Sequence, residues 1–185
     1  MTALDAPTET GSAAALRRLY FGRFAFAVVW AALLFLTSKS HLGLIGAGLV
    51  VAYPLFDVAA AAVDARSSGT AVRGLYANMA ISALAAAGLA VASASGVPAV
   101  LRVWGAWAVV AGLVQLIVAV HRRGMGGQWP MILSGSISVL AGANFVLSAS
   151  APNPSPASVA GYAVLGGTFF LVSALRLGAR LTRVR

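Results

Sequence analysis

The stretch Pro98–Val120, PAVLRVWGAWAVVAGLVQLIVAV, holds one charged residue, Arg102, and one amide, Gln115, in 23 positions. A helix crosses the hydrocarbon layer of a bilayer with about 20 mostly apolar residues. The stretch is apolar on all faces, lacks period-two alternation and is about twice the length of a barrel strand, so it predicts a helix. Five other segments read the same way: Tyr20–Thr37, Leu42–Val63, Tyr76–Ala94, Trp129–Ser148 and Val159–Leu177. The expected fold class is all-α, a polytopic membrane protein with six transmembrane helices in one domain over residues 17–179. Residues 1–16, MTALDAPTETGSAAAL, lack a hydrophobic face and predict a flexible tail. Residues 180–185 read as a short basic tail.

Composition points the same way. Of 185 residues, 60% are hydrophobic and 9% charged, and the mean hydropathy is +0.90. A water-soluble domain carries about a quarter charged residues. With no cysteine, disulfides, thiolate catalysis and cysteine metal sites are excluded. The net charge of +9 would suit nucleic acid only if it formed one soluble basic face. Mapped onto the six spans, Arg17, Arg18, Arg23, Arg66, Arg73, Arg122, Arg123, Arg176, Arg180, Arg183 and Arg185 fall on one side, with only Lys39 and Arg102 on the other.

By the positive-inside rule, both ends of the chain are then cytoplasmic. The implied location is a cell membrane crossed six times. Its partners are the bilayer and the anionic headgroups of the cytoplasmic leaflet, not nucleic acid. A homo-oligomer or a membrane-protein partner stays open. Arg17-Arg18 before an apolar run has the look of a secretory or twin-arginine signal, but no A-x-A-like site follows it and five more spans do. Asn153 is no glycosylation acceptor, because Pro154 occupies the middle position of the motif.

The spans also pair into an internal repeat. Val91-Ala92-Ser93-Ala94-Ser95 and Val146-Leu147-Ser148-Ala149-Ser150 are offset by 55 residues, and Leu36-Thr37-Ser38-Lys39-Ser40 precedes them by the same interval. That offset also carries Trp107 onto Tyr162, Gly112 onto Gly167, Leu116 onto Leu171 and Ala119 onto Ala174. Three helical hairpins in the same orientation are expected, with quasi-symmetry about the membrane normal rather than an inverted repeat.

The run from Gln128 to Gly142, QWPMILSGSISVLAG, with Gly161 to Leu177, GYAVLGGTFFLVSALRL, and Gly112-Leu113-Val114-Gln115 leading to Arg122-Arg123, resembles the HdeD-like family of short-repeat bacterial membrane proteins. The likeness covers roughly the last half of the chain. It implies a non-enzymatic role in acid or envelope stress tolerance, in a family many of whose members have no known function. The shared motifs are helix-packing patterns, so no active-site residue carries over. Tyr53-Pro54-Leu55-Phe56-Asp57 departs from the glycine-rich helix expected there and suggests a distinct subgroup.

Asp57 is the most informative position. It lies about seven residues inside the cytoplasmic end of the second span, where a carboxylate costs a few kcal/mol on insertion scales. Asp64 follows seven residues later on nearly the same face, and Arg23 enters from the same side at similar depth. Two readings are open. One is a structural Asp57–Arg23 pair with Asp64 at the helix end; the other is an Asp57 that gains and loses a proton because desolvation disfavours its charge. With Gln115, these residues form a candidate intramembrane polar cluster. Pro54 removes one backbone hydrogen bond and is expected to kink the second helix.

Gln115, Asn78 and Asn144 are candidates for interhelical hydrogen bonds of about 1 kcal/mol or less each. Arg102 is expected to snorkel to the interface. Ser134, Ser138 and Gly142 form a small-residue stripe that would admit a neighbouring backbone or line a pore, as would Gly48, Ala52, Gly166 and Gly167 for close packing. Trp30, Trp104, Trp107, Trp129, Tyr20 and Tyr76 are expected in the aromatic belts.

Enzyme templates find no footing. His41 and His121 flank opposite ends of spans, and no acidic pair accompanies them. Gly46-Ala47-Gly48 and Gly124-Met125-Gly126-Gly127 do not follow a strand, and four acids with two histidines in these places make no serine triad. No catalytic residue, cofactor or metal is expected. The leading expectation is a non-enzymatic membrane protein of the HdeD-like type. The alternative is a small proton-linked transporter or channel using Asp57, and a cavity reaching Asp57 from one side would favour it.

Overall fold

A computed structural model describes residues 6–37, 42–67, 72–121 and 129–183. Asp5, Lys39, His41, Arg122, Arg123, the Gly124–Gly127 run, Gln128 and Arg185 lie outside the described residues. The chain forms α1 (Ala6–Thr37), α2 (Leu44–Ser67), α3 (Val72–Ser93), α4 (Val97–His121), α5 (Trp129–Ser148) and α6 (Ala157–Arg183). Each of the six is long and apolar enough to cross a membrane. Large apolar side chains cover the outside of the bundle, among them Leu44, Leu84, Val91, Leu140 and Leu147, each more than two-thirds exposed. In water such a surface would aggregate; facing lipid it has no cost. The chain is a multi-pass membrane protein.

Two boundaries correct the sequence reading. Helix α1 starts at Ala6, so residues 6–16, expected to be a flexible tail, are helical. Pro7 falls in the first turn, where a missing N–H costs nothing, and Ala13-Ala14-Ala15 favours continuing the helix. The apolar span itself begins only at Ala14. At the other end α6 continues to Arg183, through most of the expected basic tail. Helix α2 runs unbroken through Pro54, whose side chain is fully buried. Between α3 and α4 the chain reverses in three residues, with Ser95 N–H donating to the Ala92 carbonyl at 2.9 Å and Gly96 at φ 86°, the left-handed conformation glycine adopts at a helix end.

Each helix packs on its sequence neighbours, and α6 returns against α1. The closest contacts are α4 with α5, α1 with α6, and α2 with α3; α5 and α6 touch least. Glycine sets the α4–α5 distance. A Cβ on Gly105 would lie 2.5 Å from the Gly142 carbonyl oxygen, and one on Gly142 would lie 2.6 Å from that of Gly105. Gly112 and Gly135 form a second such pair at 2.8 and 2.9 Å. The two pairs run in opposite order along the two helices, so α4 and α5 are antiparallel, with the backbones in direct contact.

The bundle has two unlike halves. One end, called the basic end, holds the beginnings of α1, α3 and α5 and the ends of α2, α4 and α6, with Arg17, Arg18, Arg66, Arg73 and Arg176. In the far half Trp30, Leu34, Val50, Leu89, Val97, Val100, Leu101, Trp104, Phe145, Ala149, Val159 and Ala163 form one buried cluster, and at that end a pocket of about 730 Å³ opens between Leu42, the α3–α4 turn and residues 152–155. The hollow inside the bundle lies toward the basic half.

Candidate functional site

The hollow is a cavity of about 320 Å³. Every helix contributes to its wall: Tyr20, Arg23 and Phe26 from α1, Phe56 and Asp57 from α2, Asn78 from α3, Trp107 and Gln115 from α4, Ser134 from α5, and Gly166, Phe169 and Phe170 from α6. Pro130 and Met131 at the start of α5 and Ser173 on α6 mark its mouth. This size is at the low end of ligand pockets, and an apolar lining with a few convergent polar groups is their usual chemistry.

Asp57 is the polar centre of the wall. Its Oδ1 accepts a charged hydrogen bond from Arg23, and its Oδ2 accepts from Asn78 Nδ2 at 2.7 Å and Ser82 Oγ at 2.8 Å. Three helices thus converge on one carboxylate. The side chains of Arg23 and Asp57 are 16% and 13% exposed, so the pair is sheltered yet reaches the cavity. In such a place each charge requires the other, because an unpaired ion bears the full desolvation penalty. The Arg23 guanidinium also lies 4.3 Å from the centroid of the Phe170 ring, a cation–π contact that fixes its other flank.

The expected cluster is only partly gathered. Asp64 lies two turns further along α2, outside the Asp57 hydrogen-bond set, with its charge within electrostatic range of the Tyr20 phenol. Gln115 faces the cavity, and its Nε2 donates to the Met131 carbonyl at 3.0 Å, tying α4 to the start of α5. Asn78 joins Asp57, while Asn144 and Arg102 are exposed. Ser134 lines the cavity instead of the α4–α5 contact, which Gly135, Ser138 and Gly142 make. Of the other small residues, Gly167 approaches the Ala27 Cβ of α1, whereas Gly48 and Gly166 have no such neighbour.

Three tryptophans expected in the membrane belts turn inward instead, and of these Trp107 lines the cavity beside Tyr53. Trp30 and Trp104 are buried and stacked, with ring centroids 5.3 Å apart; Tyr53 meets Trp30, Trp104 and Trp107 edge-on or tilted. Trp30 Nε1 donates to the Leu49 carbonyl at 2.6 Å, so an inward indole here finds both π partners and an acceptor. Tyr162 closes the α5–α6 side through a 2.8 Å hydroxyl–hydroxyl bond with Ser138 and a T-shaped contact with Phe145. Trp129 and Tyr76 do face outward, and Tyr20 turns inward against Phe170.

Sequence reasoning missed Ser82 and the inward role of Trp107 and Tyr162. Ser82 stands four residues after Asn78, on the same helical face, and that spacing was the available signal. The indole N–H of Trp107, which lines the cavity, is buried and has no acceptor among the described residues. The described residues contain no group of three or more His, Asp or Glu placed to hold a metal ion. Comparison with protein families, curated proteins and solved structures finds no match for this chain.

Proposed function

We propose that the chain is a small proton-linked carrier of the bacterial inner membrane. The observation that carries this reading is the cavity lined by the Arg23–Asp57 pair, with a buried apolar cluster beyond it. A scaffold has no use for a polar hollow around an ion pair at mid-membrane, where ionisable residues are costly and characteristically serve transport paths. The buried cluster beyond the cavity favours a carrier over an open channel: a solute entering from the basic end meets Tyr53 and Trp107, with Trp104 packed behind them, and crossing requires these rings to move.

Asp57 is the proton acceptor in this scheme. A proton on Oδ1 breaks the charge attraction to Arg23, while Oδ2 keeps its hydrogen bonds from Asn78 and Ser82, so the acid remains held in place. The basic end is cytoplasmic on the positive-inside rule, which makes the cavity inward-facing with both ends of the chain inside. The close α2–α3, α4–α5 and α6–α1 contacts alternate with the looser α1–α2, α3–α4 and α5–α6 ones, a threefold pattern in which each expected hairpin packs more tightly on the next hairpin than within itself. Resemblance of the last half to HdeD-like proteins supplies the physiological setting, tolerance of acid or envelope stress without enzymatic chemistry.

The test is proton flux in proteoliposomes with an entrapped pH indicator. With a panel of small organic anions, cations and neutral solutes supplied on one side, wild-type protein dissipates an imposed pH gradient, and Asp57→Asn, checked to be folded, does not. Equal flux from both would remove the reading.

A further inference from the structure

We infer that the cavity takes an organic monocarboxylate with an apolar or aromatic body, which binds Arg23 in place of Asp57. The inference rests on the carrier reading and names its substrate class. Hydrogen-bonding capacity left over in the cavity decides the sign of the ligand. Both oxygens of Asp57 are already engaged, one by Arg23 and the other by Asn78 and Ser82. Among the charged groups the spare capacity is on the donor side: a guanidinium has five N–H bonds, and Arg23 spends one on Asp57. A cation would meet an already neutralised carboxylate. An anion meets unspent donors, and a carboxylate matches the fork of a guanidinium.

Charge balance then couples the ligand to a proton. In the resting state Arg23 and Asp57 cancel. If a carboxylate enters alone, the desolvated site gains a negative charge; if a proton arrives with it, Asp57 becomes a neutral acid and Arg23 pairs with the ligand, so the site stays neutral throughout. The other titratable groups toward Asp57 are Tyr53 on α2 and Tyr162 on α6, with Tyr20 and Asp64 nearer the mouth. α3, α4 and α5 present only neutral Asn78, Ser82, Trp107, Gln115, Ser134 and Ser138. Phenols ordinarily stay neutral at physiological pH, so Asp57 and Arg23 set the balance. The ligand body fits the rings of Phe26, Phe56, Phe169 and Phe170.

The experiment titrates purified full-length protein in nanodiscs with benzoate, benzamide and benzylammonium, reading tryptophan fluorescence at neutral and mildly acid pH, both above the range where benzoate itself protonates. Benzoate is expected to bind more tightly at the lower pH and to exceed the two analogues. Asp57→Asn removes the internal competitor for Arg23, so benzoate affinity should rise by about tenfold or more and lose its pH dependence. Benzoate binding that is weaker or unchanged in folded Asp57→Asn, or preference for benzylammonium, overturns the inference. Proton flux without benzoate binding would leave the carrier and remove this substrate class; benzoate binding without flux would do the reverse.

Discussion

Asp57 has three donors and Arg23 one internal acceptor, so the two residues respond differently to loss of the partner. Replacing Asp57 with Ala leaves a sheltered guanidinium without its counter-ion, and removal of one partner from such a pair costs about 3–5 kcal/mol in buried settings. These side chains keep some exposure to the cavity, so a value toward the lower end is expected. Asp57→Asn retains the geometry for Ser82 and Asn78 and should cost less. The double variant Arg23→Gln with Asp57→Asn removes both charges and should recover most of the stability lost by Arg23→Gln alone. Thermal unfolding of the four variants in one detergent gives the cycle; additive losses would mean that the two charges do not interact. The sequence places Asp57 and Arg23 at the same depth because both can be counted from one membrane face. Ser82 and Trp107 were not legible in that way: a serine or tryptophan is unremarkable in a membrane helix until its neighbours across the interface are known.

At the scale of helices, glycine has two opposite roles. Gly105, Gly112, Gly135 and Gly142 allow α4 and α5 to touch, and a methyl group at Gly142 would meet the Gly105 carbonyl at 2.6 Å and the Val109 nitrogen at 2.8 Å. Backbone atoms cannot swing aside, so Gly142→Ala should lower stability by about 1–3 kcal/mol through overpacking. Gly48 and Gly161 sit in α2 and α6 with nothing within 4 Å of an added Cβ. There alanine gains the helix preference of up to about 1 kcal/mol, and both variants should unfold at or above the wild-type temperature. A Gly142→Ala protein as stable as wild type would show that α4 and α5 separate freely. The 55-residue offset that carries Gly112 onto Gly167 also carries Gly112 back onto Asp57. Under the repeat reading, one hairpin interface holds a carboxylate where the other two hold a close-packing glycine, and a polar site would have arisen by replacing a contact. The six spans were legible because lipid demands long apolar helices. The helix partners were not, since apolar side chains face lipid and protein alike; the sequence stripe picked out Ser134, Ser138 and Gly142, while Gly135 makes the backbone contact.

For the molecule as a whole, the inner cavity and the buried cluster beyond it set where water can reach. The chain contains no cysteine, so single introduced thiols report on their own surroundings. Ser134 lines the cavity on α5 and Ser173 lines it near the end of α6, whereas Ser95 is exposed in the turn between α3 and α4 at the far end. A thiol reacts with a maleimide as the thiolate, which forms only where water solvates it. A membrane-impermeant maleimide should therefore label Ser134→Cys and Ser173→Cys in inverted vesicles, where the cytoplasmic face is outward, and should label Ser95→Cys in intact spheroplasts. The opposite pattern would invert the orientation drawn from the arginines. Labelling of Ser95→Cys alone would mean that the cavity is filled by lipid or closed, leaving the Arg23–Asp57 pair dry. Trp104 is the further control, because it lies fully buried between the two halves. Removing its ring with Trp104→Ala in the Ser134→Cys protein should thin the packing beyond the cavity and let the same reagent reach Ser134→Cys from the spheroplast side as well, a result that a bundle with no cavity would not give.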